Sequence, residues 1–140
     1  MSDKEYMKIA IEEAEKGDFP FGAVIVKDDK IIAKSYNAVK SGDPTAHAEI
    51  NVIRDACKIL NSRHLSGCIL YCTCEPCLMC FSAAWWAQIT TIVYGVEGKD
   101  LPDDDWTMDI RCQELNLKSG NRIELKAGIC KDDCLKVLRR

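Results

Sequence analysis

An α/β sandwich on a partly parallel sheet is the fold class that the sequence predicts, and three observations point to it. Segments rich in β-branched residues alternate with amphipathic segments about 10 to 15 residues long, the pattern of strands joined by crossover helices. No internal repeat, low-complexity tract or linker interrupts the 140 residues. Hydrophobic residues make up 47% of the chain and charged residues 29%, which suits one hydrophobic core and excludes a disordered or collagen-like chain. Residues 1–140 are therefore expected to form a single domain.

The elements follow in order. From about Asp3 to Lys16, Tyr6, Ile9, Ala10 and Ala14 recur at helical spacing and Gly17 ends the run. Phe21 to Val26 reads as a strand, Asp28-Asp29 as a turn, and Ile31 and Ile32 as part of a second strand, giving a hairpin. Asp43-Pro44-Thr45 has the chemistry of a helix start, so a helix is expected from there to about Leu60. Cys68 to Cys72 reads as a short strand, Pro76 opens a helix to about Ala87, and Thr90 to Tyr94 is a strand. From Gly95 to Gly120 the pattern weakens, and GKDLPDDDW reads as a loop over a site. Ile123 to Leu125 is expected as a last strand and Lys131 to Arg140 as a short terminal helix.

With 22 acidic and 19 basic side chains the formal charge is −3. That argues against a partner held mainly through phosphates, without excluding nucleic acid. No apolar run approaches the ~18 residues of a membrane span, and the charged N-terminus does not read as a signal peptide, so a soluble, cytoplasmic protein with no membrane partner is expected. The nine cysteines cannot all pair with one another within the chain. In a reducing compartment, clustered thiols more often hold metal or lie buried. Cys72, Cys74, Cys77 and Cys80 are the cluster.

Two segments carry the chemistry, Thr45-Ala46-His47-Ala48-Glu49 and Cys74-Glu75-Pro76-Cys77-Leu78-Met79-Cys80, each at a helix start. Cys77 and Cys80 are three apart, so on a helix they share a face and can hold one zinc ion at ~2.3 Å per thiolate, with His47 as third ligand at ~2.0 Å. Three protein ligands leave one position for water, whose pKa then falls towards ~7. A helix N-terminus favours the thiolate forms. Glu49, two residues after His47, is placed to move a proton rather than to ligate, as a general acid/base.

H-x-E followed by P-C-x-x-C is the signature of zinc deaminases. Through PFGAVIVKD, DPTAHAEI, LYCTCEPCLMC and AAWWA, between about Pro20 and Tyr94, the sequence resembles the cytidine deaminase superfamily. Within it the likeness is to the branch of guanine deaminases, tRNA adenosine deaminases and yeast-type cytosine deaminases. The resemblance implies a three-layer α/β/α sandwich with a central mixed five-stranded sheet, one zinc per chain on His47, Cys77 and Cys80, and Glu49 as proton shuttle. It implies that Asn37, Phe21 and the Ala48 backbone N–H hold the base, that Asp104 and Trp106 contact it, and that the protein is a homodimer. PFGA, DPTAHAE and CEPCxMC look most like guanine deaminases, where tRNA adenosine deaminases typically show PVGA. The short, helix-ending tail KDDCLKVLRR looks more like cytosine deaminase. A nucleobase deaminase acting on guanine first and cytosine second is the resulting expectation.

Other readings stand beside it. Four thiols, Cys72, Cys74, Cys77 and Cys80, can close a structural zinc knuckle, although His47-x-Glu49 is then unexplained. A non-catalytic zinc-stabilised module or a tRNA adenosine deaminase would carry the same motifs. Cys72, Cys74, Cys57 and Cys68 read as packing residues, and Cys130 with Cys134 as an i, i+4 packing pair rather than a second metal or redox site. His64 reads as an exposed loop residue. Trp85 and Trp86 cannot both face one core, so one is expected at a pocket or subunit interface.

Overall fold

The computed structural model describes residues 1–101 and 108–139. Its elements are helix α1 (Asp3–Ala14), strands β1 (Gly22–Lys27) and β2 (Lys30–Tyr36), helix α2 (Ala48–Leu60), strand β3 (Ile69–Cys74), helix α3 (Leu78–Trp86), strand β4 (Thr91–Val96), helix α4 (Cys112–Lys118), strand β5 (Glu124–Lys126) and helix α5 (Lys131–Leu138). The strands form one sheet in the order β2-β1-β3-β4-β5. β1 runs antiparallel to β2 and β3, whereas β3, β4 and β5 are mutually parallel. The expected mixed five-stranded sheet is therefore present.

Side chains alternate across a strand, and here both faces of the sheet are covered. Ala23, Ile25, Leu70 and Ile92 pack with Ala48, Val52 and Ala56 of α2, Phe81 and Ala84 of α3, and Cys112 of α4. Val24, Val26, Tyr71 and Val93 pack with Tyr6, Met7 and Ala10 of α1 and Cys134 of α5. These are the three layers. α1 lies so close to β1 that a Cβ on Gly22 would stand 2.0 Å from the Ala10 carbonyl oxygen and 2.5 Å from the Ala14 nitrogen. Only glycine permits that approach.

Two expectations need correction, and one element is new. Asp43-Pro44-Thr45 does not start a helix: Asp43 Oδ1 accepts from the Thr45 N–H at 2.8 Å and from its hydroxyl at 2.6 Å, closing a local turn. Helix α2 begins only at Ala48, with His47 as its N-cap in extended backbone. Pro76 likewise does not open α3, whose N-cap is Cys77. Within Gly95–Gly120, where the sequence pattern weakens, helix α4 forms as an element the sequence did not announce. Its seven residues show too short an apolar pattern to read, and contacts from elsewhere hold it: buried Asn116 donates to Ile123 O at 2.7 Å and accepts from Ile123 N–H at 3.2 Å, tying α4 to the approach to β5.

The remaining cysteines and aromatics fall mostly where expected. Cys68, Cys72, Cys74 and Cys134 are buried and Cys57 and Cys130 half-buried. Trp85 packs inward, donating to Ser119 O at 3.1 Å, while Trp86 is 75% exposed. His64 is exposed. Among the described residues no helix is long and apolar enough to cross a membrane.

Candidate metal and active site

Two helix starts meet at the site. An N-cap side chain usually accepts a backbone N–H of the first turn. The His47 imidazole makes no such bond, and the Cys77 sulfur faces both the Cys80 thiol of its own first turn and the His47 ring. The His47 carbonyl still accepts from Asn51 N–H at 2.9 Å, and the Cys77 carbonyl from Phe81 N–H at 2.8 Å, fixing both backbones. Cys80 follows on the first turn of α3, fully buried. The His47 Nδ1 stands 3.7 Å from the Cys77 sulfur and 3.5 Å from the Cys80 sulfur. All three donor atoms lie within 4.8 Å of one another.

These separations fit a metal. A tetrahedral ion bonded at about 2.3 Å to sulfur and about 2.0 Å to nitrogen holds those two donors roughly 3.5 Å apart. Among the described residues His47, Cys77 and Cys80 are the one His/Cys/Asp/Glu group that can hold an ion. The four-thiol alternative is not assembled: Cys72 and Cys74 belong to separate core clusters, and neither joins the group formed by His47, Cys77 and Cys80. Burial keeps both as neutral thiols, raising their pKa above the ordinary thiol range.

The sulfurs of the candidate metal group behave differently. Cys77 is pushed down to about 4, first by the hydrogen bond from the Cys80 thiol and then by His47. Cys80 is pushed up by the adjacent Cys77 sulfur and by burial, and the Cys77 contact raises His47. Without a cation one sulfur thus takes the negative charge and its neighbour keeps the proton. A divalent ion removes that conflict, and thiolate, thiolate and imidazole form the donor set of a zinc site.

Glu49, in the first turn of α2, is 7% exposed. Burial first and the Cys77 charge second raise its carboxyl from 4.5 to about 7, while Cys80 and His47 pull the other way. Its carboxyl thus lies within reach of the ligand set. Ala48 is fully buried at the first position of α2, where the helix supplies no acceptor for its N–H. Asn37, 4% exposed, follows β2; its N–H donates to Phe21 O at 3.3 Å and its Oδ1 accepts from Val39 N–H at 3.3 Å. The Ala38 N–H donates to Ala46 O at 2.9 Å, joining the Asn37 loop to the residue before His47. Phe21 is half-buried just before β1. Asp104 and Trp106 lie outside the described residues.

Residues not singled out from sequence also build the site. Asn51 Nδ2 donates to Tyr36 O at 2.9 Å and Ala46 O at 3.2 Å, clipping the end of β2 to the approach to His47. Glu75 accepts two backbone N–H groups beside the Cys77 turn. Its place between Cys74 and Pro76 inside the cysteine motif was the available signal.

The family described as the cytidine and deoxycytidylate deaminase zinc-binding region matches residues 1–96. The chain belongs to that family. As a member of it, the chain is 47% identical over 106 residues to a guanine deaminase of Bacillus subtilis, covering 71% of this chain and 68% of the relative. It is 36% identical over 141 residues to a tRNA-specific adenosine deaminase of Buchnera aphidicola, covering 97% of this chain and 91% of that one. Among solved structures, a guanine deaminase from Nitrosomonas europaea superposes with a TM-score of 0.85 at 26% identity, over 99% of this chain and 83% of the other. The zinc-binding deaminase family and its α/β fold are thus shared with relatives named for two different substrates.

Proposed function

We propose that the chain is a zinc-dependent hydrolytic deaminase of a nucleobase, with guanine as first substrate and cytosine as second. The observation that carries this reading is the open donor set: one imidazole and two sulfurs at metal-binding separations, with the buried Glu49 carboxyl hydrogen-bonded to the Cys80 thiol. His47, Cys77 and Cys80 would hold the ion. When bound, zinc supplies a Lewis acid that makes water a nucleophile near neutral pH.

The chain's own residues do the rest. Glu49 accepts a proton from the attacking water and delivers it to the ring nitrogen next to the amine-bearing carbon. A second transfer through the same carboxyl protonates the departing amine. Water adds, the exocyclic C–N bond breaks, and the products are the carbonyl compound and ammonia. Asn37 and the Ala48 N–H hold the edge of the base, and Phe21 supplies apolar contact at the pocket floor. Asp104 and Trp106 complete the proposed pocket.

The test is ammonia release from guanine, cytosine, adenine, isocytosine and their nucleosides. Guanine is expected to react fastest; failure of every free base overturns the substrate assignment. One observation favours a second reading, tRNA adenosine deamination: the Buchnera aphidicola relative matches nearly the whole length of both chains. That reading requires inosine formation in a tRNA anticodon loop, with binding that weakens steeply as salt rises. A homodimer belongs to the proposal, with exposed Trp86 beside the groove lined by Ile53, Cys57 and Ala87 as its apolar contact, and light scattering checks it.

A further inference from the structure

We propose that Glu75 is a positioning residue that fixes the Cys77 sulfur in its metal-binding orientation, by clamping the turn before α3 to the end of β4 and the start of α4. This rests on the reading of Cys77 as a metal ligand.

The chain leaves β3 at Cys74 and must turn within Glu75-Pro76-Cys77 to start α3. Four contacts hold that turn. The Glu75 N–H donates to Val96 O at 2.8 Å, extending the pairing of Cys74 with Val96 by one bond. The Glu75 Oε1 accepts from Gly98 N–H at 2.9 Å, just beyond β4. Its Oε2 accepts from Cys112 N–H at 2.8 Å, the first residue of α4. The Cys112 thiol in turn donates to Pro76 O at 3.3 Å. Two of the four contacts pass through one carboxylate.

The clamp has a selective geometry. Arg111, the N-cap of α4, makes no capping bond with its own side chain, so Glu75 supplies from outside the acceptor that the helix lacks. Gly98 and Arg111 also lie together, since a Cβ on Gly98 would stand 2.2 Å from the Arg111 guanidinium. A carboxylate that accepts two backbone N–H groups is directional at both oxygens, and both bonds are charge-assisted. Glutamine keeps one acceptor oxygen and must turn an NH2 towards the other N–H. Alanine removes both bonds. The thiol two residues on is then presented by a turn with fewer fixed points, although no atom of Glu75 belongs to the donor set.

The experiment compares full-length wild type, Glu75→Gln and Glu75→Ala, each metal-free and zinc-loaded. Zinc affinity is measured by competition with a chromogenic chelator, and melting temperature with and without zinc. Removing groups that orient ligands typically weakens metal binding by about 10- to 100-fold. Glu75→Gln is expected to lose about tenfold in affinity and Glu75→Ala more. In both, the rise in melting temperature on adding zinc is expected to shrink, because a bound ion stabilises the fold more the more tightly it binds. If Glu75→Ala fails to fold, the near-isosteric Glu75→Gln still decides. Wild-type zinc affinity in the variants, with melting points lowered equally in both metal states, would show a helix cap and nothing more. A wild-type protein that takes up no zinc would sink the site reading as well as this one.

Discussion

Replacing Glu49 by glutamine separates catalysis from folding, because the two should move in opposite directions. Burial and the Cys77 sulfur hold the Glu49 carboxyl at about 7 in the metal-free protein against 4.5 ordinarily. A folded-state pKa above the unfolded value means that the folded protein binds the proton more tightly, so ionising the carboxyl destabilises it. The penalty is absent below the unfolded pKa, grows as pH rises from 4.5 towards about 7, and is complete above that. At about 1.4 kcal/mol per pH unit, the full penalty is roughly 3 kcal/mol. A glutamine side chain carries no such charge. Metal-free Glu49→Gln is therefore expected to melt several degrees above the metal-free parent at pH 8 and to match it near pH 4. Meanwhile kcat should fall at least ~10²-fold, the usual worth of a general acid/base, with zinc content near one per chain. Calorimetry at the two pH values and steady-state ammonia release make the measurement. A variant that loses stability at pH 8, or keeps its rate, would refute the assignment of Glu49 as a buried proton carrier.

Three further outcomes are expected. Asn37→Ala should raise KM for the base about 10- to 100-fold with zinc content unchanged, since it removes a side chain that the proposed function places on substrate and not on metal; an unchanged KM would remove Asn37 from the site. In the metal-free protein, iodoacetamide at neutral pH should label Cys77 first, because the residue is only half-buried and its thiol is pushed down to about 4. Zinc should protect it, and peptide mapping that finds Cys77 no more reactive than buried Cys72 would contradict the charge distribution. Gly22→Ala should cost about 3 kcal/mol or more in a denaturant titration, because a Cβ 2.0 Å from the Ala10 oxygen forces α1 off β1. A change under about 1 kcal/mol would show that the helix yields without penalty.

How much of this was legible in the sequence depended on how local each signal was. The candidate metal-binding group was readable because His47-x-Glu49 and Cys77-x-x-Cys80 are short patterns whose chemistry needs few neighbours. The strands were readable because β-branched runs such as Ala23–Val26 and Thr91–Val93 are buried on both faces of the sheet. The helix starts were misplaced by local signals with another use: Asp43 closes a turn on Thr45, and Pro76 precedes Cys77, an N-cap whose thiol belongs to the group that could hold an ion. Helix α4 could not be read because its stability comes from Glu75 and Asn116, bonds to backbone far from its own short apolar pattern or beyond its end. Glu75 stood inside the motif, yet its two acceptors act across the fold, which no spacing rule reveals. Asn37 and Glu49, polar residues named from their motifs, are both buried, and their roles are what the variants above address.

Zinc K-edge absorption on the metal-loaded protein tests the central claim most directly. Two sulfurs near 2.3 Å, one imidazole nitrogen and one further light atom from outside the chain are expected, at about one ion per chain. A shell of four sulfurs, or four ligands all supplied by the protein, would contradict an open hydrolytic centre at His47, Cys77 and Cys80.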